Sequence, residues 1–247
     1  MPTKESEDSR VPRPGSVAAV SAFVTVLSLA TGATDAIAFT KLGNIFASVM
    51  TGNMVLLGVS AGRRDPTLAV HAGVSLGAYL VGTALGARLC RGGLPMRRWW
   101  GRGRAVVCLE LVLFVGVTAG WEVSSGRPSG SLQLVLLVLA VMAMAVQAAL
   151  VRSLPEETPS TTYMTSTLTT TIASFVLGSS FREQQLRLKA LTGLVLGAGL
   201  ATVLVEEVPE ATPFLVLSVL VAALAVTSTH SRTHSRFSKA RVGTRWP

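Results

Sequence analysis

The sequence predicts an all-α polytopic membrane protein, with about six transmembrane helices and two polar-centred short helices arranged as two weak inverted repeats. Three observations carry that prediction. Only 14% of the 247 residues are charged, whereas a soluble globular domain carries about 25%. The charges gather in the tails and a few connectors, leaving six apolar runs that approach the ~20 residues a helix needs to cross the hydrocarbon core. The basic and acidic connectors, finally, are distributed as the positive-inside rule requires of one particular topology.

The chain opens with MPTKESEDSRVPRPG, polar, mixed in charge and broken by Pro2, Pro12 and Pro14. It lacks the short basic start, brief apolar core and cleavage site of a secretory signal, so residues 1–16 read as a flexible tail before a retained first helix. A single transmembrane domain, 17–229, follows, and then a basic tail, 230–247. Its spanning runs are 17–42, 68–89, 105–121, 131–151, 188–205 and 213–228. Two apolar segments with polar centres lie between them, 44–61 around MTGN and 160–179 around STTYMTSTLTTTIAS. Each follows the first full helix of its half, and Met50-Thr51 and Met164-Thr165 are 114 residues apart. That order of parts divides the domain into repeats 17–122 and 131–229. The helix after each polar segment carries small-xxx-small spacing, at Gly73/Gly77, Gly82/Gly86 and Gly193/Gly197. Such spacing lets backbones approach in lipid, within one chain or in a homo-oligomer equally well.

The connector from Arg88 to Arg104 holds six arginines and no acid, the one after Val205 holds Glu206, Glu207 and Glu210 and no base, and the C-terminal tail is basic. Eight crossings would put the two basic stretches on opposite sides. Six crossings put both, with the N-terminus, in the cytoplasm of a bacterial cell and the acidic connector outside, with only Arg63-Arg64, partly offset by Asp65, misplaced. A seven-crossing version, with only 44–61 crossing, moves just the weakly charged N-tail outside. Six is preferred. Each half then crosses three times, so the halves are inverted and their polar segments dip in from opposite faces, a recurrent plan for solute pathways.

The net charge of +9 is accounted for by those arginines, and no basic module interleaved with aromatics points to nucleic acid. No H-E-x-x-H, G-x-S-x-G or P-loop pattern occurs, so no enzyme activity and no cofactor are expected. His230 and His234 stand four apart without a third ligand, and no metal site is expected. Cys90 and Cys108 read as small packing residues, Met142 and Met144 as core filler, Trp99, Trp100, Trp121 and Trp246 as interfacial anchors, and His71 as interfacial.

The residues left over define the expected site. Irregular backbone at membrane depth survives only where protein buries it or a wet cavity receives it. Gly52 permits close approach or a break, and Thr51 and Asn53 offer donors and acceptors to freed backbone or to a solute. Thr161, Thr165 and Thr169, with Thr162, Ser166 and Thr170, form a nearly continuous hydroxyl surface, although threonines in membrane helices also bond back to their own helix. Asp35 stands inside the first apolar run with no base nearby, and an acid at that depth costs at least ~2.5 kcal/mol on insertion scales, which usually marks a pathway, relay or counter-ion site. The alternative is a helix-end carboxyl bonded to backbone. Gln147 holds a comparable place in the second half, for an interhelical hydrogen bond or a solute.

GATDAIAF followed by FASVMTGNMVLLG resembles the YoaK-type bacterial membrane proteins, a family known mainly as a domain of unknown function. The resemblance covers nearly the whole chain between the tails. Asp35, Phe46, Thr51, Gly52 and Asn53 match its first-half motif, and Gln147, Thr162, Thr165 and Leu168 match its second. Ala145, Ala148 and Ser166 depart from the glycine, asparagine and glycine expected there. The resemblance implies about six membrane helices and brings no substrate. The leading expectation is a transporter or permease-like protein of the cytoplasmic membrane for a small solute or ion. Its pathway is lined by Asp35, Thr51, Gly52, Asn53, Gln147, Thr162, Thr165 and Ser166, with Asp35 binding a coupled cation or proton. The alternatives are a scaffold or regulatory membrane protein, whose basic tail meets anionic lipid or a partner, and a passive channel.

Overall fold

The computed structural model describes the backbone of residues 14–91, 96–154 and 164–242, and side chains over 18–91, 99–154 and 164–228. Eight α-helices occur among them: α1 Pro14–Lys41, α2 Met50–Arg63, α3 Pro66–Leu89, α4 Met96–Val123, α5 Gly130–Arg152, α6 Met164–Val176, α7 Phe181–Glu207 and α8 Thr212–Val242. A 3-10 turn, Pro209–Ala211, leads into α8. Six helices are long and apolar enough to cross a membrane, namely α1, α3, α4, α5, α7 and α8. With 14 and 13 residues, α2 and α6 rise only about 20 Å, short of a ~30 Å hydrocarbon core.

Local chemistry sets several of the boundaries. Arg64 closes α2 in the left-handed region at φ 55°, and Asp65 accepts from the Leu68 N–H to cap α3, with Pro66 at its first position. Ser180 and Glu183 make a reciprocal capping box that starts α7 well before the apolar run at 188.

The packing follows the small residues. The most extensive pairings are α1 with α7 and α3 with α5; α4 lies against α5 and α8, α8 also against α1, while α2 rides on α3 and α6 on α7. A Cβ at Gly82 would stand 2.7 Å from that of Ala145, and one at Gly86 2.7 Å from that of Ala149. A step of four along α3 matches a step of four along α5 in the same direction, so these helices are parallel. In the same way Gly193 and Gly197 seat α7 on the Thr25 and Leu29 carbonyls of α1. The glycines at 82, 86, 193 and 197 thus serve internal contacts, whereas Gly73 and Gly77 face open space.

Polar ties fix the two ends of the bundle. At one end, Gln133 of α5 donates to the Lys41 carbonyl at 2.8 Å and its Oε1 lies 3.2 Å from His71 Nε2. The end of α1 and the start of α3 therefore meet at the same level, and the chain between them enters the bundle and returns. Trp121 donates to the Pro209 carbonyl at 2.8 Å at that end, which also carries Glu122, Glu206, Glu207 and Glu210. At the other end Trp99 donates to Ser153 Oγ at 2.8 Å, and Phe23 packs 5.8 Å from the rings of Trp99 and Trp100. Arg88, Arg91, Arg102, Arg104 and Arg152 lie there.

Three expectations need correction. Trp99, Trp100 and Trp121 sit at helix ends but are buried, tying helix to helix rather than facing lipid. His71 is buried and bonded within the bundle, its Nδ1 2.8 Å from the Thr67 carbonyl. Cys108 is exposed and takes no part in the core, while Cys90 is half-buried against it. Met142 and Met144 pack in the core as expected. Trp246 and the side chains of His230 and His234 lie outside the described residues.

Candidate functional site

Beyond Lys41, Gly43 at φ 96° and Asn44 at φ 58° reverse the chain, with Gly43 so close to the His71 imidazole that a Cβ would collide with it. The leg that follows, 44–49, has no regular ladder, so its backbone groups need other partners. Two side chains supply them. Asp35 accepts the Ser48 N–H at 2.7 Å on one oxygen and the Ser48 hydroxyl at 2.5 Å on the other. Asn53 accepts the Phe46 N–H at 3.0 Å, and its amide donates to the Phe46 carbonyl at 2.6 Å and to Ser75 Oγ on α3 at 3.1 Å. Both side chains are buried. Asp35 lies six residues before Lys41, so Ser48 is held about 9 Å below that end of the bundle.

Met50 thus begins α2 at depth, and its N-cap residue, Val49, makes no side-chain cap bond. This corrects the reading of MTGN as the centre of its segment and of Gly52 as a break. Thr51, Gly52 and Asn53 form the first turn of α2, and a Cβ at Gly52 would make an ordinary 3.4 Å contact with the Phe46 ring. The irregular backbone comes before the motif, and Asn53 reaches back to satisfy it.

A cavity of about 760 Å³ opens where the first turns of α2 and α6 face each other. From the first half Ser48, Thr51 and Met54 line it, with Tyr79 from α3; from α6 come Thr165, Ser166, Thr169 and Thr170. Val49, Met50 and Met164 complete an apolar portion, and no charged side chain is among the described lining residues. Thr169 and Thr170 donate to the Thr165 and Ser166 carbonyls at 2.9 and 2.8 Å. With their protons committed to their own helix, these hydroxyls offer lone pairs to whatever enters.

Of the expected site residues, Thr51, Thr165 and Ser166 stand in this wall. Asp35, Gly52 and Asn53 stand behind it, Asp35 touching it through Ser48. Gln147 is elsewhere, wholly buried between α5 and α1, where its amide donates to Thr31 Oγ1 at 2.8 Å. Thr162 and Thr161 lie outside the described residues. No group of three metal-ligating side chains occurs among the described residues. Sequence reasoning missed Ser48, Tyr79, Met50, Met54 and Met164, for which only their proximity to the polar motifs was a signal. It also missed Glu110, wholly buried in α4, although the argument applied to Asp35 applies equally to an acid in CLELVL.

The model of a protein family described as a protein of unknown function, DUF1275, matches residues 23–227. The chain belongs to this family. No curated protein and no solved structure matches it. In this DUF1275 chain the matched region begins in α1 and ends in α8, enclosing the cavity and both short helices. The departures from the motif fall in different places: Ser166 is in the cavity wall, whereas Ala145 packs against Gly82.

Proposed function

We propose that this protein is a permease-like protein of the bacterial cytoplasmic membrane that admits a small polar solute or ion and performs no chemical step. One observation carries the reading: two short helices, too short to cross, bring their hydroxyl-bearing first turns to the walls of one cavity. Irregular backbone at depth is tolerated where it lines such a space. Among the described residues the lining is uncharged and suits a small polar solute, its apolar part against Met50, Met54 and Met164, its polar groups on Thr51, Ser166 and the lone pairs of Thr169 and Thr170. Asp35 acts on the pathway through Ser48, as a positioning residue.

The inverted-repeat reading draws support from the helix pairings. Exchanging α1 with α5, α2 with α6, α3 with α7 and α4 with α8 turns the α1–α7 pair into α5–α3, α2–α3 into α6–α7 and α4–α5 into α8–α1, all of which are pairings of this bundle. The arginine-rich end, where α1 begins and the α8 span ends, is read as cytoplasmic. In a chain with Cys90 and Cys108 replaced, Lys41→Cys and Gly62→Cys label from outside the cell and Arg102→Cys only from inside; labelling of Lys41→Cys and Gly62→Cys from opposite faces overturns this topology.

For the solute, thermal stabilisation of the purified chain is measured against neutral polyols, sugars, amides and amino acids. At least one class is expected to raise Tm, and the double variant Thr51→Val/Thr165→Val to abolish that rise while leaving the unliganded Tm within a few degrees. No stabilisation and no flux in reconstituted vesicles across the panel would sink the proposal.

A further inference from the structure

Glu110 belongs to neither short helix and to no wall of the cavity. It is the twelfth of the 25 residues of the span Trp99–Val123, which puts its carboxyl at the middle of the hydrocarbon core. It is 0% exposed, and neither of its oxygens has a hydrogen-bond partner among the described residues. The buried face of α4 runs through Val106, Val107, Glu110, Phe114 and Val117, so this acid occupies a core position between aliphatic and aromatic neighbours on its own helix.

The facing helices offer it no counter-charge. Trp121 bonds Pro209, so α4 and α8 run antiparallel, and eleven residues of helix from that tie lead to Glu110 on one and to Leu220–Ala223 on the other, about 16 Å along the axis. Leu220 and Ala223 are wholly buried, and α8 has no charged side chain over 212–228. On α5, Gly116 against Leu139 and Gly103 against Leu150 set the level of Glu110 at Ala143–Ala145, again apolar and buried; the charge of that helix, Arg152, is at its end. On α4 itself the other titratable and charged side chains among the described residues are Arg102, Arg104, Cys108 and Glu122. Cys108 and Arg104 are exposed, and Arg104 is about 9 Å away along the axis. The lightly touching α3 carries His71 and Arg88 near its two ends, Tyr79 at the cavity, and Cys90 just past its last turn; α1, which meets α4 where Phe23 packs on Trp99 and Trp100, carries Asp35, bonded to Ser48, and Lys41 at its end. A carboxylate without partner, water or cation is not held in such a place; the neutral acid is. Nor is one carboxyl a metal site, since hard cations collect six or more oxygens.

We propose that Glu110 is a proton-binding site in the α4–α8 interface, separate from the cavity between α2 and α6, which exchanges its proton only when that interface admits water. The proposal does not rest on the permease reading. Closed, the interface keeps the acid protonated. Loss of the proton creates a charge that the apolar surroundings of α5 and α8 reject, so the interface opens or the proton returns. The site joins proton occupancy to the separation of two spanning helices.

A hydrophobic carbodiimide tests this on the full chain in lipid vesicles. The carboxylic O–H adds across one C=N bond, and the acyl group then migrates from oxygen to nitrogen; nothing leaves, and the adduct keeps all atoms of both reactants. Dicyclohexylcarbodiimide is expected to modify Glu110, read by peptide mass mapping, whereas a water-soluble carbodiimide modifies it at least tenfold less. Labelling falls reversibly as both sides are taken from about pH 6 to about pH 9. Glu110→Gln, nearly the same shape, abolishes it. Infrared spectroscopy of the unmodified chain supplies a second readout that needs no variant: the carbonyl band of a protonated carboxyl in an apolar setting, diminishing over the same pH range. Equal modification by the water-soluble reagent, absence of both adduct and band, or a band and a labelling yield that do not respond to pH would each overturn the proposal.

Discussion

The two walls of the cavity are made of similar helices held in different ways. In the first half, the start of α2 is tied to other helices at the cavity itself: Asp35 of α1 grips Ser48, and Asn53 joins the leg to Ser75 of α3. In the second half, the hydroxyls of Thr169, Thr170 and Thr171 turn back to carbonyls of their own helix. Ties from α6 to α7 are found at its C-terminal end, where Arg187 reaches Ser174 at 3.4 Å and the rings of Phe175 and Phe181 lie 4.9 Å apart. α6 also packs more lightly on α7 than α2 does on α3. The lesson is that a polar helix start inside a membrane domain is fixed by acceptors from its neighbours, not by hydroxyl content. The first wall is held at the cavity by other helices, whereas the Arg187–Ser174 and Phe175–Phe181 contacts hold α6 at its far end.

The largest effect is expected at Asp35. Asp35→Ala removes the acceptors of both the Ser48 N–H and the Ser48 hydroxyl in a buried site, at a cost of about 3 kcal/mol or more. In thermal unfolding of the purified chain it should lower Tm more than any alanine substitution among the α6 hydroxyls. Asp35→Asn, which keeps one acceptor oxygen, should recover part of the loss. If Asp35→Ala unfolds with wild-type stability, the first wall is not pinned as described and the contrast between the walls fails.

The reading of the six long helices from composition and connector charge was accurate because spanning length and arginine placement are properties of contiguous sequence. Their ends were less legible. α4 begins at Met96 rather than 105 and α7 at Phe181 rather than 188, because charged residues past the membrane boundary continue a helix as readily as apolar ones do. The Ser180–Glu183 box was a readable signal for the second case. The placement of MTGN at a helix start was not readable locally. It depends on Asp35 meeting Ser48 thirteen residues away and on Asn53 bonding Phe46 and Ser75. Of the hydroxyl face legible from helical spacing, Thr165, Ser166, Thr169 and Thr170 line the cavity, and Thr161 and Thr162 lie outside the described residues. Gln147 was legible as a buried polar group, and its bond to Thr31 is the interhelical alternative that the sequence had left open.

The sharpest measure of the comparison is the pair Asn53 and Thr167, which the 114-residue offset between Thr51 and Thr165 makes equivalent. Both are buried in the first turn of a short helix. Asn53 serves the backbone of another segment and the hydroxyl of another helix. Asn53→Ala leaves the Phe46 N–H and carbonyl without partners, a loss of about 2 kcal/mol. The Thr167 carbonyl accepts from the Thr171 hydroxyl at 2.7 Å, a bond that survives removal of the Thr167 side chain. Thr167→Ala should therefore cost below about 1 kcal/mol, in the range of ordinary polar contacts between membrane helices. Unfolding midpoints in one detergent decide the matter. A deficit at Asn53 at least twice that at Thr167 sustains a wall tied to other helices at the cavity facing one bonded there within its own helix. Equal deficits would mean that α6 is anchored at the cavity as firmly as α2, and that the asymmetry lies in residue types alone.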